Sequence, residues 1–335
     1  MKWRITGMAG LIGAAALVAG CSQEASSTGV VTGASEATGV VTEYESITVT
    51  HAFGETVVES EPQRIVALGA TATDAVLALG GTLVGAAASP VSATGISPWQ
   101  EDLLDPASTT LLQMDQVGGY DYEQILSLDP DVVLAQEAGN AEAIYDELGD
   151  VVPVIPFHEN VFGDSWQTVT RDVATILGKE EAGDELVASV ESASDAPDGL
   201  DGRTWLFLAA PAPGLVNVIN NEDDPMSQFF ARYGMKISPE VLALEDNAQN
   251  PGTAVVSEEN YGVLDADFVI VAAGSDEASS QLLGSPTFSA VPAVVDGRTW
   301  VTDMTVAMAL RSPTVLAVPW VADQLQPKLE TVADR

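Results

Sequence analysis

Glu123-Gln-Ile-Leu-Ser-Leu-Asp-Pro-Asp-Val-Val133 is echoed in the second half of the chain by Glu259-Asn-Tyr-Gly-Val-Leu-Asp-Ala-Asp-Phe-Val269, with five residues identical at one constant offset. Each copy reads as a short helix, an aspartate-bearing turn and a buried strand. A unit used twice implies two equivalent lobes. The first copy sits in an alternating pattern that begins after Pro62. Strands are expected at Arg64–Leu68, Leu83–Ala87, Val132–Ala135 and Val151–Phe157. Helices are expected at Thr71–Leu79, near Gln100–Leu104, at Tyr122–Ser127 and at Ala141–Leu148. Alternation of this kind implies parallel pairing. Ile47–His51 and Thr56–Glu59 form a hairpin ahead of it. Around the second copy the rhythm restarts, with strands at Trp205–Ala209, Val216–Ile219, Phe268–Ala272 and Arg298–Thr302. Its helices fall at Pro225–Tyr233, Glu258–Val263 and Pro313–Gln326.

Between the copies lies a stretch with helical period. Trp166, Val169, Val173, Ile176 and Leu177, then Leu186, Val187 and Val190, recur at steps of three and four. Gly178 interrupts the pattern, so two helices are expected, with Asp164 and Gln167 as a capping box at the start and Pro197 with Gly199 at the end. The fold class is therefore α/β: two Rossmann-like lobes joined by a long helical connector, with a ligand cleft between the lobes where the carboxyl ends of the strands face each other. The expected divisions are 1–20, 21–45, 46–163 for the N-terminal lobe, 164–196 for the connector and 197–335 for the C-terminal lobe. A length of 335 residues suits two cores better than one.

The first segment reads as an export signal. Lys2 and Arg4 precede the uncharged apolar run Met8–Val18, and Leu17-Val18-Ala19-Gly20 leads into the only cysteine, Cys21. This is the pattern of a lipoprotein signal peptide, with lipid on Cys21 as the sole covalent group and the mature chain anchored on the outer face of the cell membrane. Residues 21–45, rich in Ser, Thr, Gly and Ala, read as a tether. The formal net charge is −37, from 12 Lys+Arg against 49 Asp+Glu. So acidic a chain lacks the basic face that nucleic acid requires, and the acidity suits solubility in an exposed setting.

Signatures of catalysis are missing from the sequence: no Gly-x-Ser-x-Gly elbow, no His-Glu-x-x-His, no phosphate loop. His51 and His158 are the only histidines, too few for a cluster-type metal site. The expectation is a binding protein that is no enzyme and holds no resident metal. Loops at the expected strand ends supply the ligand candidates. Trp99 could stack on a ligand's periphery or simply pack, Tyr120 could donate its hydroxyl, and Arg311 could reach the cleft or form a surface ion pair. Gln136 and Met304 are further candidate liners.

The span from about Ile47 to Pro327 resembles the ABC-transporter substrate-binding lipoproteins for ferric siderophores, relatives of the vitamin B12 and haem binders. The resemblance rests on Pro62-Gln-Arg-Ile-Val66 leading to Ala70-Thr-Ala-Thr-Asp74 and Leu79-Gly80, and on Tyr120-Asp-Tyr-Glu-Gln-Ile-Leu-Ser-Leu-Asp-Pro-Asp-Val-Val133. It continues through Ser165-Trp166 to Leu177-Gly178, Phe229 to Gly234, and Val291-Pro-Ala-Val-Val-Asp-Gly-Arg298. It implies a stiff pair of lobes, a ferric siderophore as transported ligand, an ABC permease as partner, and Glu123 and Glu259 as the glutamates that dock on that permease. The first turn of a helix would favour both charges in any case. A monomer is expected. Many relatives carry arginine or tyrosine in loops where this chain has Val117-Gly118-Gly119-Tyr120 and Gln136-Glu137-Ala138-Gly139, which favours a near-neutral, hydroxamate-like complex over a strongly anionic catecholate. The alternatives are a haem or corrinoid receptor, with His158, Tyr233 or Tyr261 as axial ligand, and, from another class, a surface-anchored hydrolase.

Overall fold

A computed structural model describes residues 44–193, 197–212 and 214–335. The signal segment, Cys21 and all but the end of the expected tether lie outside the described residues. The chain opens with an antiparallel hairpin, β1 (Ile47–His51) and β2 (Gly54–Val58). The first lobe follows: β3 (Ile65–Ala67), α1 (Ala70–Ala78), β4 (Leu83–Ala87), β5 (Thr110–Leu112), α2 (Tyr122–Ser127), β6 (Val132–Leu134), α3 (Ala141–Leu148) and β7 (Val154–Ile155). Its sheet is wholly parallel in the order β5-β4-β3-β6-β7. Two helices, α4 (Trp166–Ile176) and α5 (Glu180–Ala193), then lead to the second lobe.

The second lobe comprises β8 (Thr204–Ala212), β9 (Leu215–Ile219), α6 (Pro225–Ala231), β10 (Lys236–Ile237), α7 (Pro239–Leu242), β11 (Thr253–Val255), a 3-10 segment Glu258–Leu264 and β12 (Phe268–Ala273). After these come α8 (Asp276–Gly284), α9 (Pro286–Ser289), α10 (Pro292–Val295), β13 (Thr299–Thr302), α11 (Met304–Arg311) and α12 (Ala317–Ala333). The sheet order is β11-β9-β8-β12-β13, with β10 beside the start of β8. It is mixed: β8 pairs in parallel with β12, but antiparallel with β9, which follows it in a tight reversal. That reversal distinguishes the second lobe from the first.

The repeated segment has one structural job in both lobes. Asp131 stands just before β6 and accepts the backbone N–H groups of Gln63 at 2.7 Å and Arg64 at 3.0 Å, tying down the chain as it enters β3. Asp267 stands just before β12 and accepts the N–H and hydroxyl of Thr204 at 2.8 and 3.0 Å where the chain enters β8. Each aspartate supplies an acceptor for donors at a strand start that the ladder leaves unpaired. The turns ahead of them differ, since Asp129 has φ of 49° whereas Asp265 is extended at −91°.

In the connector, Gly178 ends α4 with φ of 63°, and the Gly178 and Lys179 N–H groups return to the Thr175 and Ala174 carbonyls at 2.9 and 2.7 Å. This is a Schellman closure, in which glycine takes the left-handed position without a Cβ penalty. The expected capping box is displaced by one residue. Ser165, not Asp164, caps α4 by accepting the Thr168 N–H at 3.1 Å, and the Asp164 carboxylate instead receives the His158 N–H at 3.0 Å. Helix α4 packs into the first-lobe core through Val169, Val173 and Ile176. Trp166 and Val187 form a separate cluster with Val315 and Val318 of the second lobe.

Sequence pattern misplaced the last helix. It begins at Ala317, where the Thr314 hydroxyl accepts the first N–H, and runs through Pro327 to Ala333. Val321, Leu325, Leu329 and Val332 stay on one buried stripe across the proline, so packing outweighs the ~3 kcal/mol that an internal proline costs. The apolar stretch from Met304 is a helix of its own, capped by Asp303. The strand expected over Val151–Phe157 pairs only at Val154 and Ile155.

The lobes meet at a buried carboxylate. Asp74 of α1 is 0% exposed and receives the Trp99 indole N–H at 2.7 Å, the Gln100 amide at 2.6 Å and the hydroxyl of Thr314 from the second lobe. The Trp99 ring, 5.1 Å from that of Trp320, packs on the second-lobe core. Burial is the largest influence on Asp74 and lifts its carboxyl to about 7 against those three donors, with the Glu137 charge adding to the rise. The folded state therefore holds this proton where the unfolded chain has lost it, between about 4 and the folded value of about 7. Stability from this site is greatest at the acid end of that window and falls as pH rises, by up to ~1.4 kcal/mol per pH unit. Asp74→Asn should lose this slope. In thermal unfolding, the stability margin of the wild type over the variant should widen from about pH 7.5 to about pH 5; a constant margin would show that Asp74 does not titrate there.

Candidate functional site

A cavity of about 540 Å³ opens between the lobes. Its first-lobe wall is Thr71 at the start of α1, Glu137 just past β6, and the segment from Phe162 into the first turn of α4 at Gln167. Its second-lobe wall is Phe229 and Arg232 at the far end of α6, with Arg311 to Pro313 after α11. Thr71, Glu137 and Phe162 all follow the carboxyl ends of first-lobe strands, where open parallel sheets bind ligands. A larger cavity of about 690 Å³ runs along β2 and includes Asp131 and Pro153, at the amino ends of β6 and β7. That is the wrong edge of the sheet for a ligand, and we place the site between the lobes.

The first-lobe wall is built around a carboxylate. Glu137 accepts the Thr71 N–H at 2.8 Å and the Thr71 hydroxyl at 2.6 Å, so it sits on the N-terminus of α1. A Cβ on Gly69 would lie 2.2 Å from Glu137 Oε2, and the bare glycine is what admits the carboxylate. Burial raises the Glu137 carboxyl above its ordinary range, and the two Thr71 donors only partly offset this. Tyr120 stands close enough to feel that charge. Burial first, and Glu137 second, push its hydroxyl up to about 12.

Opposite, the two arginines differ in kind. Arg311 contacts the Asp224 carboxylate at 2.9 Å, and Asp224, 5% exposed in its side chain, also caps α6 by accepting the Met226 N–H. Arg232 lies over the Phe229 ring, 5.8 Å from its centroid, and among the described residues forms no ion pair. Phe162, with φ of 59° and 69% exposed, adds an apolar rim.

Of the five ligand candidates from sequence, the cavity brings in Arg311. Trp99 is held at the lobe junction by Asp74 and Trp320. Tyr120 lies in the first-lobe core. Gln136 is buried with both amide atoms lacking a hydrogen-bond partner, and Met304 packs on the second-lobe core at the first turn of α11. Sequence reading missed Arg232 and Phe229, whose place in a helix concealed that its end faces the cleft, and it placed Trp166 only on the apolar period of the connector. Glu137 fell within a segment noted only for its lack of arginine. That segment does meet the other one singled out, because the Gly139 N–H donates to the Gly118 carbonyl at 2.8 Å. Glu123 and Glu259 are both exposed, each in the first turn of its helical segment. His158 has both ring nitrogens engaged, one 3.1 Å from the Thr50 carbonyl and the other 2.8 Å from Asp172.

The sequence profile described as periplasmic binding protein matches residues 65–304, which takes in both sheets and the connector. The chain belongs to that family. It is a family of binding proteins, so the surface-hydrolase alternative falls. Among curated relatives, the probable siderophore-binding lipoprotein YfiY of Bacillus subtilis is 31% identical over 162 residues, 47% of this chain and 46% of that one. The ferric enterobactin-binding periplasmic protein FepB of Escherichia coli is 27% identical over 155 residues, 43% of this chain and 46% of that one. Each match thus spans about half of the relative's length. A periplasmic solute binding protein from Mycobacterium smegmatis superposes with a TM-score of 0.72 at 27% identity, covering 86% of this chain and 99% of that chain. Streptococcus pneumoniae PiaA in complex with ferrichrome shares the fold, with a TM-score of 0.64 at 23% identity over 86% of this chain and 99% of that one.

The different settings of the two arginines separate their roles. Arg311→Gln strips a buried carboxylate of its counter-charge and should cost about 1 to 3 kcal/mol in urea unfolding, the partial exposure of Arg311 keeping it below the full buried-pair penalty. Arg232→Gln loses only a cation–π contact, about 0.5 to 1 kcal/mol. Equal losses would mean that Arg232 has a structural partner.

Proposed function

We propose that this chain is an exported solute receptor that captures a ferric siderophore in the cleft between its lobes and delivers it to an ABC permease. The carrying observation is the cleft itself: a cavity of about 540 Å³ at the carboxyl edge of the first-lobe sheet, with Arg232 on one wall and aromatic rings beside it. Its volume falls in the usual range for small-molecule sites. The relatives' names point the same way, from the siderophore-binding YfiY to PiaA with ferrichrome and Staphylococcus aureus SirA with staphyloferrin B.

Charge favours a near-neutral, hydroxamate-type complex. Arg311 is already balanced by Asp224, Glu137 and Asp164 add carboxyl groups to the lining, and Arg232 alone offers an unbalanced positive charge. A strongly anionic catecholate would enter with little to offset its desolvation. The haem reading is weakened because both His158 nitrogens are engaged, and because Tyr233 and Tyr261, 8% and 4% exposed, belong to the second-lobe core. Lipid on Cys21, attachment to the outer face of the membrane, a monomeric state and working divisions at 46–163, 164–196 and 197–335 belong to the same reading. The Asp74 junction supports lobes that move little on binding.

Trp166 lines the cavity, so tryptophan emission should report binding. Ferric hydroxamates should quench the soluble domain saturably at micromolar levels or below, and Trp166→Phe should lose much of the change. No response to any ferric hydroxamate, catecholate or citrate complex would sink the reading. The exposed pair Glu123 and Glu259 is proposed as the permease-docking charge, one per lobe, since a two-fold permease would meet an equivalent surface on each. Reversing both to lysine should reduce uptake by whole cells while leaving ligand affinity within about twofold; normal uptake by the double variant would refute that role.

A further inference from the structure

The cleft holds two opposite charges that do not meet. Among the described residues Glu137 has no cationic partner and Arg232 has no carboxylate partner, yet both line the same cavity from opposite lobes. The place of Glu137 is prepared rather than incidental. The N-terminus of α1 would by itself favour an anion, through its free N–H groups and the helix dipole. Here the chain fills that position with its own carboxylate, received by both Thr71 donors and accommodated by the bare Gly69. A ligand anion is thereby kept off the first-lobe wall. Each Glu137 oxygen receives one Thr71 donor and retains lone-pair capacity for another.

We propose that Glu137 is a specificity-determining residue, selecting with Arg232 a dipolar ferric chelate that turns a cationic or hydrogen-donating arm toward the first lobe and its acceptor oxygens toward the second. This rests on the siderophore reading and narrows it to one ligand class. A partly buried carboxylate without a counter-charge is costly, and a cationic arm supplies the missing partner on binding. A charge-assisted hydrogen bond is stronger than its neutral counterpart, so masking the arm should have a measurable effect.

The test compares a linear ferric trihydroxamate ending in a primary amine with its N-acetylated form, by fluorescence titration or calorimetry on the soluble domain. Wild type should bind the amine form about tenfold or more tightly than the acetylated form. Glu137→Gln should reduce that preference below about threefold. Glutamine suits the site sterically, because the Thr71 hydroxyl can accept its amide N–H, and Glu137→Asp with a matching thermal-unfolding curve controls for folding. Equal wild-type affinity for the two forms would overturn the proposal. So would a Glu137→Gln variant, folded as wild type, that loses both forms alike, or tighter wild-type binding of an anionic catecholate. Each of those results would leave the siderophore reading standing, whereas failure of every ferric complex to bind would remove both.

Discussion

The interaction on which the geometry depends is the Asp74 carboxylate, buried where the lobes touch and surrounded by Trp99, Gln100 and Thr314. Two of its donors come from the loop after β4 and one from Thr314, just ahead of α12, so a single side chain joins three segments separated in sequence. Leaving a buried carboxylate short of donors is expensive, and sliding or opening the lobes would do that. The Trp99–Trp320 contact and the Trp166 cluster add apolar burial at the same junction. Together they hold the walls of the cleft in register, which a site made of single residues from two lobes requires.

Within that frame the two walls are chemically unlike. The first lobe offers a carboxylate on a helix N-terminus, and the second offers a guanidinium over an aromatic ring. The lobes share one folding device, the aspartate ahead of β6 and of β12, but they diverge wherever the chain leaves the sheet. The second lobe reverses direction between β8 and β9, and α6 follows to carry Phe229 and Arg232 to the cleft. The repeated segment serves the scaffold in both lobes, and the unlike loops set the chemistry.

The sequence signals that survived were those that local physics enforces. Helices Tyr122–Ser127 and Ala141–Leu148 were expected within the limits observed: the Asp121 side chain caps the first, and Ala141, Ile144 and Leu148 give the second a buried apolar stripe. The glycine break at Gly178 was visible for the same reason: only a left-handed residue closes a Schellman turn cheaply. Signals failed where tertiary packing overrode local preference. Pro327 suggested an end that the buried stripe of α12 ignores, and the extended run around Val154 suggested more strand than its neighbour could pair. Met304 and Trp99 looked suited to a cleft but belong to the packing around it.

By itself, the sequence determined two α/β lobes and a two-helix connector broken at Gly178, because periodicity and a repeated motif are local properties. Only the tertiary structure decided which side chains share the cavity. Arg232 and Glu137 are far apart in the chain, and each is unremarkable in its own segment. Their opposition across a cleft follows from the placement of α6 beside the cavity, from the bare Gly69 that admits a carboxylate, and from the Asp74 junction between the lobes. Those are relations between elements, set by long-range packing, and no window of sequence contains them.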